Sequence, residues 1–225
     1  MATKFNDLSD AVAFPAWDLL PWDGALDDRY EAPGENGLPK RHWCFLGEIQ
    51  SFFPHHTTRF HTVVKDGSGN GKDHAVGFFL DHYDDLDASK LHDGHTMAIM
   101  YAHRRYFPDM DHTPGIGVED VEYVHIFPLG LRKLKDLGHE MQKYCPGENG
   151  QKCHGCDKVA EPGQTVGLCG GCKTFRYCNK DCQAKAWNRD RLSHKETCRV
   201  LRDPAFHELL KLDFSTYTGS HTFTK

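Results

Sequence analysis

Along residues 41–128 the apolar positions come in short runs rich in aromatic and β-branched side chains. Residues 42–49, 59–65 and 74–80 each predict a β-strand. Residues 66–73 (Asp-Gly-Ser-Gly-Asn-Gly-Lys-Asp) read as a hairpin loop between the last two. Residues 81–95 are acidic and polar and predict at most an irregular helical turn or two. Residues 96–106 form a longer apolar run with Met97, Ile99 and Tyr101 on one face, followed by a loop marked by Pro108, Pro114, Gly115 and Gly117. Val121, Tyr123, His125 and Phe127 alternate, which predicts a fifth strand ended by Pro128. From Leu129 the period changes. Leu131, Leu134, Leu137 and Met141 recur at three or four, predicting a helix over 129–144 that Gly138 weakens and that caps one end of the preceding strands.

Five strands with an interruption after the third follow the element order of an OB-type barrel. The expectation is a mostly β N-terminal domain built as a small antiparallel barrel, with another small barrel or sandwich as the alternative. The preceding residues 1–40 carry Pro15, Pro21, Pro33, Gly34, Gly37 and Pro39, which argue for an extended leader without long regular elements. Trp17 and Trp22 are read as pinning that leader to the strands, since large aromatics are costly to leave in water. Cys145-Pro-Gly-Glu-Asn-Gly150 is a natural linker. The expected organisation is a leader over 1–40, a barrel with its helix over 41–144, a small module over 150–201, and a short helix with tail over 203–225. Asp203-Pro204 supplies the N-cap and first position of that last helix. Phe206, Leu209 and Leu210 would pack on the module, and residues 214–225 are expected to fray.

The module is defined by its cysteines. Cys153-x-x-Cys156, Cys169-x-x-Cys172, Cys178-x-x-x-Cys182 and His194-x-x-x-Cys198 are eight soft ligands in four pairs, enough for two tetrahedral zinc ions. Each pair brings two side chains to one metal through a single turn or helical step; His194 and Cys198, at i and i+4, share a helix face. Spacing alone leaves open which pairs share an ion. The stretch 153–198 resembles the MYND zinc finger, in the ligand series and also in Tyr177 before Cys178, Gln183 after Cys182, and Trp187. That resemblance implies interleaving, with Cys153, Cys156, Cys178 and Cys182 on one zinc and Cys169, Cys172, His194 and Cys198 on the other. It also implies a shallow groove lined by Gln183 and Trp187 that takes short proline-containing peptides, a Trp face giving Pro rings an apolar platform; the alternative is that Trp187 forms the small core under the two zincs. Beyond a short strand at 174–177 and two short helices at 181–188 and 190–201, little regular structure is expected. With every coordination position filled by protein, both zincs would be structural.

Charge narrows the partners. Residues 1–149 carry 14 Lys and Arg against 24 Asp and Glu, and residues 150–203 carry 11 against 6. Thiolate ligands reduce the excess on the module, so nucleic acid is a poor default partner. No run of 18 apolar residues suggests a membrane span, and the first ten residues lack the apolar core of a secretory signal. An intracellular setting with reduced thiolates, nuclear or cytoplasmic, is therefore expected. Cys44 reads as a core residue and Cys145 as a spare thiol. His82-x-Asp84 and His92-Asp-Gly-His95 lack a recognisable third ligand, and no P-loop, nucleophile elbow or dinucleotide fingerprint is present, so no enzyme is expected. The composite expectation is a zinc-binding adaptor whose finger docks proline-containing peptides, in a setting such as transcriptional regulation. The alternative is nucleic-acid binding through the barrel, for which His103, Arg104, Arg105 and Tyr106 are the only aromatic-basic cluster.

Overall fold

The computed structural model describes residues 5–32, 39–53, 61–82, 87–107, 113–145, 152–161 and 163–223. They group into two units. One comprises Ser9–Leu131 and Asp213–Lys225, the other Met1–Leu8 and Arg132–Leu212. This differs from the boundaries read off the chain: the helix expected to cap the strands belongs, from Arg132 onward, with the cysteine-rich module.

The first unit is a seven-stranded sheet. Its strands are β1 (Cys44–Phe53), β2 (His61–Asp66), β3 (His74–Phe78), β4 (Thr96–Met100), β5 (Arg104–Phe107), β6 (Thr113–Val118) and β7 (Val124–Phe127). Their spatial order is β5-β6-β3-β2-β1-β4-β7. The ladders describe an open sheet, so the expected closed barrel is corrected to that, and the pairing is mixed because β3 and β6 run parallel. The ten-residue β1 pairs with β4 through residues 44–48 and with β2 through residues 47–53, with an irregularity between Ile49 and Ser51.

Two local causes produce the extra strands. Tyr101 adopts φ 54°, a left-handed conformation that breaks the apolar run of 96–106 into β4 and β5. The segment expected as a loop, Thr-Pro-Gly-Ile-Gly-Val, is β6. Its glycines are required by their neighbours: a Cβ on Gly115 would lie 2.3 Å from the Phe107 ring, and one on Gly117 would lie 2.7 Å from Arg105 Nε. Large side chains on β5 cover the glycines of β6. The predicted fifth strand is shortened, because Asp120 caps a 3-10 turn over Val121–Tyr123 before β7 begins.

The core of this unit recruits the leader. Trp17, Leu20 and Tyr30 are buried with Trp43, Phe45, Ile49, Val64, Val76, Phe78 and Ile116. Trp17 stacks on His74 at 4.3 Å, and its backbone N–H donates to Asp66 Oδ2 at 2.7 Å. Trp43 Nε1 donates to the Ala102 carbonyl at 2.9 Å. Cys44 is fully buried, and burial pushes its thiol well above the usual range. Over residues 214–223 the tail is ordered against the sheet unit, contrary to the expectation of fraying. His42 N–H donates to Phe214 O, Tyr217 N–H to Lys40 O and Phe223 N–H to Glu122 O. Phe214 packs on Phe14 at 4.8 Å and Phe223 on His125 at 5.4 Å. Among the described residues no helix is long and apolar enough to cross a membrane.

Phe223 is only 4% exposed. Phe223→Ala is expected to lower the stability of the sheet unit by about 2–4 kcal/mol, measured by urea unfolding followed through tryptophan fluorescence. A change below about 0.5 kcal/mol, the level of an ordinary surface substitution, would mean the tail contributes nothing to that core.

Candidate metal centre

The second unit holds helix α1 (Leu131–Tyr144), the short pair β8 (Gly167–Leu168) and β9 (Arg176–Tyr177), and helices α2 (Lys180–Trp187), α3 (His194–Val200) and α4 (Pro204–Lys211). The three later helices start where their caps dictate. Asn179 Oδ1 accepts the Cys182 N–H, Ser193 accepts the Glu196 N–H, and Asp203 accepts the Ala205 N–H ahead of Pro204. Ser193 and Glu196 have capping-box spacing, which sets His194 at the first helical position and Cys198 one turn on. The helix expected over 190–201 is therefore shorter, since residues before Ser193 lie outside the cap.

The two Cys-x-x-Cys pairs form the same turn. Asp157 N–H donates to the Cys153 carbonyl at 2.9 Å, and Lys173 N–H to the Cys169 carbonyl at 3.0 Å. Both of these next residues adopt the left-handed region, φ 64° at Asp157 and 58° at Lys173. Asp157 is held there by a hydrogen bond from Tyr144 Oη at 2.6 Å and an ion pair with Lys143 at 2.8 Å, which keep its carboxyl well below the usual range.

The eight ligand residues meet in two groups: Cys153, Cys156, Cys178 and Cys182 in one, and Cys169, Cys172, His194 and Cys198 in the other. The pairing is interleaved. Within each group the ligand atoms lie within 4.8 Å of one another. Two sulfurs each about 2.3 Å from a tetrahedral centre lie about 3.8 Å apart. Cys156 and Cys178 sulfurs are 3.8 Å apart, and those of Cys169 and Cys198 are 3.9 Å apart. His194 Nε2 is 3.7 Å from Cys172 Sγ and 3.3 Å from Cys169 Sγ. Both groups are compatible with a structural zinc ion, and each supplies a complete shell of four protein ligands.

The acid-base state of the ligands suits a divalent cation. Burial pushes the His194 imidazole down to about 4, leaving it neutral with a free lone pair. Burial opposes ionisation of Cys153, but the N–H groups of Cys178, Cys156 and Gly155 outweigh it and bring the thiol down to about 7. Its neighbour Cys178 is then pushed up to about 12 by the hydrogen bond with Cys153. A divalent cation removes the repulsion that keeps several thiolates from coexisting, and its binding releases their protons.

Sequence reasoning missed the residues around the ligands. His154, inside the first pair, is not a ligand. It is buried, stacks on Phe175 at 3.9 Å, and hydrogen-bonds Glu140 Oε2 through Nε2 at 2.7 Å and Tyr177 Oη through Nδ1 at 3.3 Å. Arg189 donates to Glu140 Oε1 at 2.8 Å and to the His154 carbonyl at 2.7 Å. Glu140 lies on α1, which makes further ion pairs through Asp136 to Arg191 and through Lys133 to Glu196. Gly138 is explained by close packing, since a Cβ there would lie 3.2 Å from Leu8. The small core beneath the ligands is Phe175, Tyr177 and His154. Trp187 is half-buried with its ring 5.8 Å from that of His194, and Gln183 Nε2 lies 3.8 Å from Cys169 Sγ. Cys145 sits beside Met141, and burial pushes its thiol up to about 11.

The MYND finger family matches residues 153–198, and that stretch is a MYND finger. A SET and MYND domain-containing protein of Dictyostelium discoideum is 44% identical over 41 residues, covering 18% of this chain and 7% of that protein. The match thus spans a small fraction of the relative's length. Similar solved structures cover about half the chain. One is a replication protein A heterotrimer bound to single-stranded DNA (15% identity, 49% of this chain and 80% of that one, TM-score 0.28). Another is Schizosaccharomyces pombe Pot1pC bound to single-stranded DNA (8% identity, 50% and 96%, TM-score 0.31). At these scores the likeness carries no argument about ligand or partner.

A Cβ on Gly155 would lie 2.2 Å from the Cys182 carbonyl oxygen. Gly155→Ala is therefore expected to leave the reduced protein with fewer than two bound zinc equivalents, read by metal analysis. Retention of both would show that the backbone at Cys182 can yield. Glu140→Ala leaves the His154 imidazole and the Arg189 guanidinium short of a partner. It is expected to lower stability by about 1–3 kcal/mol while metal content stays unchanged, so a variant that melts like wild type would count against this network.

Proposed function

We propose that this protein is a non-enzymatic adaptor whose MYND finger, a protein-interaction module, docks a short proline-containing peptide of another protein through Gln183 and Trp187. The observation that carries this reading is the contrast between closed metal sites and a half-buried tryptophan beside one of them. Four protein ligands per ion leave no open position for substrate or water, which supports a scaffold role. Gln183 and Trp187 are one helical turn apart on α2, so they share a face. Leu168, 44% exposed and next to Cys169 in the chain, adds exposed apolar surface on the finger. A partly exposed indole with an adjacent amide is suited to an extended, proline-containing segment. The process served, transcriptional regulation included, depends on which protein carries the peptide.

The second reading is nucleic-acid binding by the sheet unit. The pairing order supports it as far as fold goes. With β4 and β5 read as two halves of one strand, β1 pairing both β2 and β4, and β3 parallel to β6, the strand order resembles that of an OB-type fold in a sheet that stays open. One observation favours a base platform: Trp22 stacks on Tyr106 at 5.0 Å with Arg104 4.6 Å over the indole. The rest of the cluster opposes it. Arg105 is engaged by Glu119 and Asp23, and burial lowers the pKa of His103, favouring its neutral form. The protein-docking reading is accordingly preferred.

Titration of zinc-loaded protein with proline-containing peptides is expected to give dissociation constants in the micromolar range or weaker. Binding should be lost in Trp187→Ala with metal content intact. Equal binding by that variant would sink the groove assignment. Tight association with single-stranded oligonucleotide that weakens steeply between two salt concentrations would shift the preference to the second reading.

A further inference from the structure

The sheet unit contains a cavity of about 420 Å³ apart from the peptide-docking surface, lined in part by His103 and Arg105 of the basic and aromatic cluster. Its volume lies in the range of small-molecule sites. It forms where the long apolar run breaks at Tyr101, and Tyr101 and Tyr123 both line it. Their ring centroids are 5.6 Å apart with the planes at 78°, and the Tyr101 ring also packs near His42 at 5.8 Å and Tyr217 at 6.2 Å. Ile99, Met100 and Val118 add apolar lining. Tyr101 is locked in place. Its hydroxyl hydrogen-bonds His42 Nδ1 at 2.6 Å and accepts the His221 N–H at 2.9 Å, while Trp43 packs against the ring at 5.2 Å.

The charged groups lining the cavity are unbalanced. Asp23, Glu119 and Asp120 face a single guanidinium, that of Arg105, and no lysine is present. Arg105 is already engaged, 2.8 Å from Glu119 Oε1 and 3.3 Å from Asp23 Oδ2. The remaining lining histidine, His103, is shifted by burial toward its neutral form. The three carboxylate residues are solvent-exposed, so negative charge reaches the surface around the cavity.

We propose that this cavity binds a small organic ammonium ion, the chemistry shared by a choline headgroup and a methylated lysine side chain. Tyrosine ring faces attract such cations, and their weak hydration lets apolar walls contribute as well. Anions are disfavoured by the carboxylates. Among the described residues, the only groups of three or more side chains with metal-ligand geometry are the two in the finger. The proposal concerns the sheet unit and is independent of peptide docking at Trp187.

The test is titration of the full zinc-loaded chain with choline, with end-blocked Nε-trimethyl-lysine and with neutral 3,3-dimethylbutanol, at constant ionic strength, followed by NMR shifts. Both cations are expected to saturate with dissociation constants of about 0.1–10 mM. The neutral isostere should bind at least about tenfold more weakly. A tenfold preference for one cation identifies the source, and equal affinities mean that the headgroup alone is read; either supports the site. Tyr123→Leu should weaken binding at least about tenfold, with Tyr123→Phe retaining it. Asp120→Asn, which keeps the side-chain cap of the 3-10 turn, should weaken it a few-fold with an unchanged melting temperature. No saturation below about 100 mM, far outside the range expected of an aromatic cation site, equal binding of the neutral isostere, or full affinity in Asp120→Asn and Tyr123→Leu would overturn the assignment.

Discussion

Ligand sharing between non-adjacent segments is the constraint on which the finger depends. The site of Cys153 and Cys156 is completed by Cys178 and Cys182, while Cys169 and Cys172 lie between those pairs in sequence and are completed by His194 and Cys198. Neither site can close without fixing part of the other's chain. The segment common to both is short, and it carries Phe175 and Tyr177, the buried aromatics of the small core. A stretch of this length buries too little apolar surface to hold itself, so coordination and that core form together.

Around the ligands, the unit spends polar interactions where a larger domain would use apolar packing. Burying the His154 imidazole is unfavourable unless both nitrogens find partners. Glu140 and Tyr177 provide them, and Arg189 balances the carboxylate. The second face of α1 is apolar, with Leu134, Leu137 and Met141 buried. One helix thus contributes a hydrophobic stripe and a row of charged anchors of both signs. This explains why residues 132–144 group with the finger despite reading, in chain order, as the end of the strand region.

Much of the metal centre was legible, because tetrahedral coordination writes itself into short spacings and because helix caps are local. Asp203 was legible as the cap of the last helix, whereas Ser193, equally local, was not, so the helix carrying His194 was expected to start too early. The strands β2 and β3 were visible because their patterns are local too. What escaped depended on distant partners. Residues 113–118 look like a loop since their two glycines answer to Phe107 and Arg105 on the adjacent strand. The break at Tyr101 is a backbone conformation that no apolar pattern encodes. His154 carries no signal of its role in the chain, because its partner Glu140 lies on another element. Residues 5–8 and 213–223 each belong to the unit farther away in chain order, and only long-range contacts such as Asn6 to Leu209 and Phe223 to Glu122 reveal it.

Arg105 ties these threads together in the sheet unit. Read along the chain, it belongs to a basic and aromatic run that suggests a surface for polyanions. In the folded unit its side chain covers Gly117, occupying space that a Cβ at that position would need. Lying there, it meets Asp23 from the leader and Glu119 from the turn after β6. The same placement that lets a glycine-rich segment serve as a strand therefore consumes the positive charge. Because the guanidinium is shared between two carboxylates and Asp120 has no cation of its own in the cavity lining, the local balance ends negative. A packing requirement thus changes the electrostatic character of the region, from the cationic patch its residue types suggest to an anionic cavity with two tyrosines in its lining.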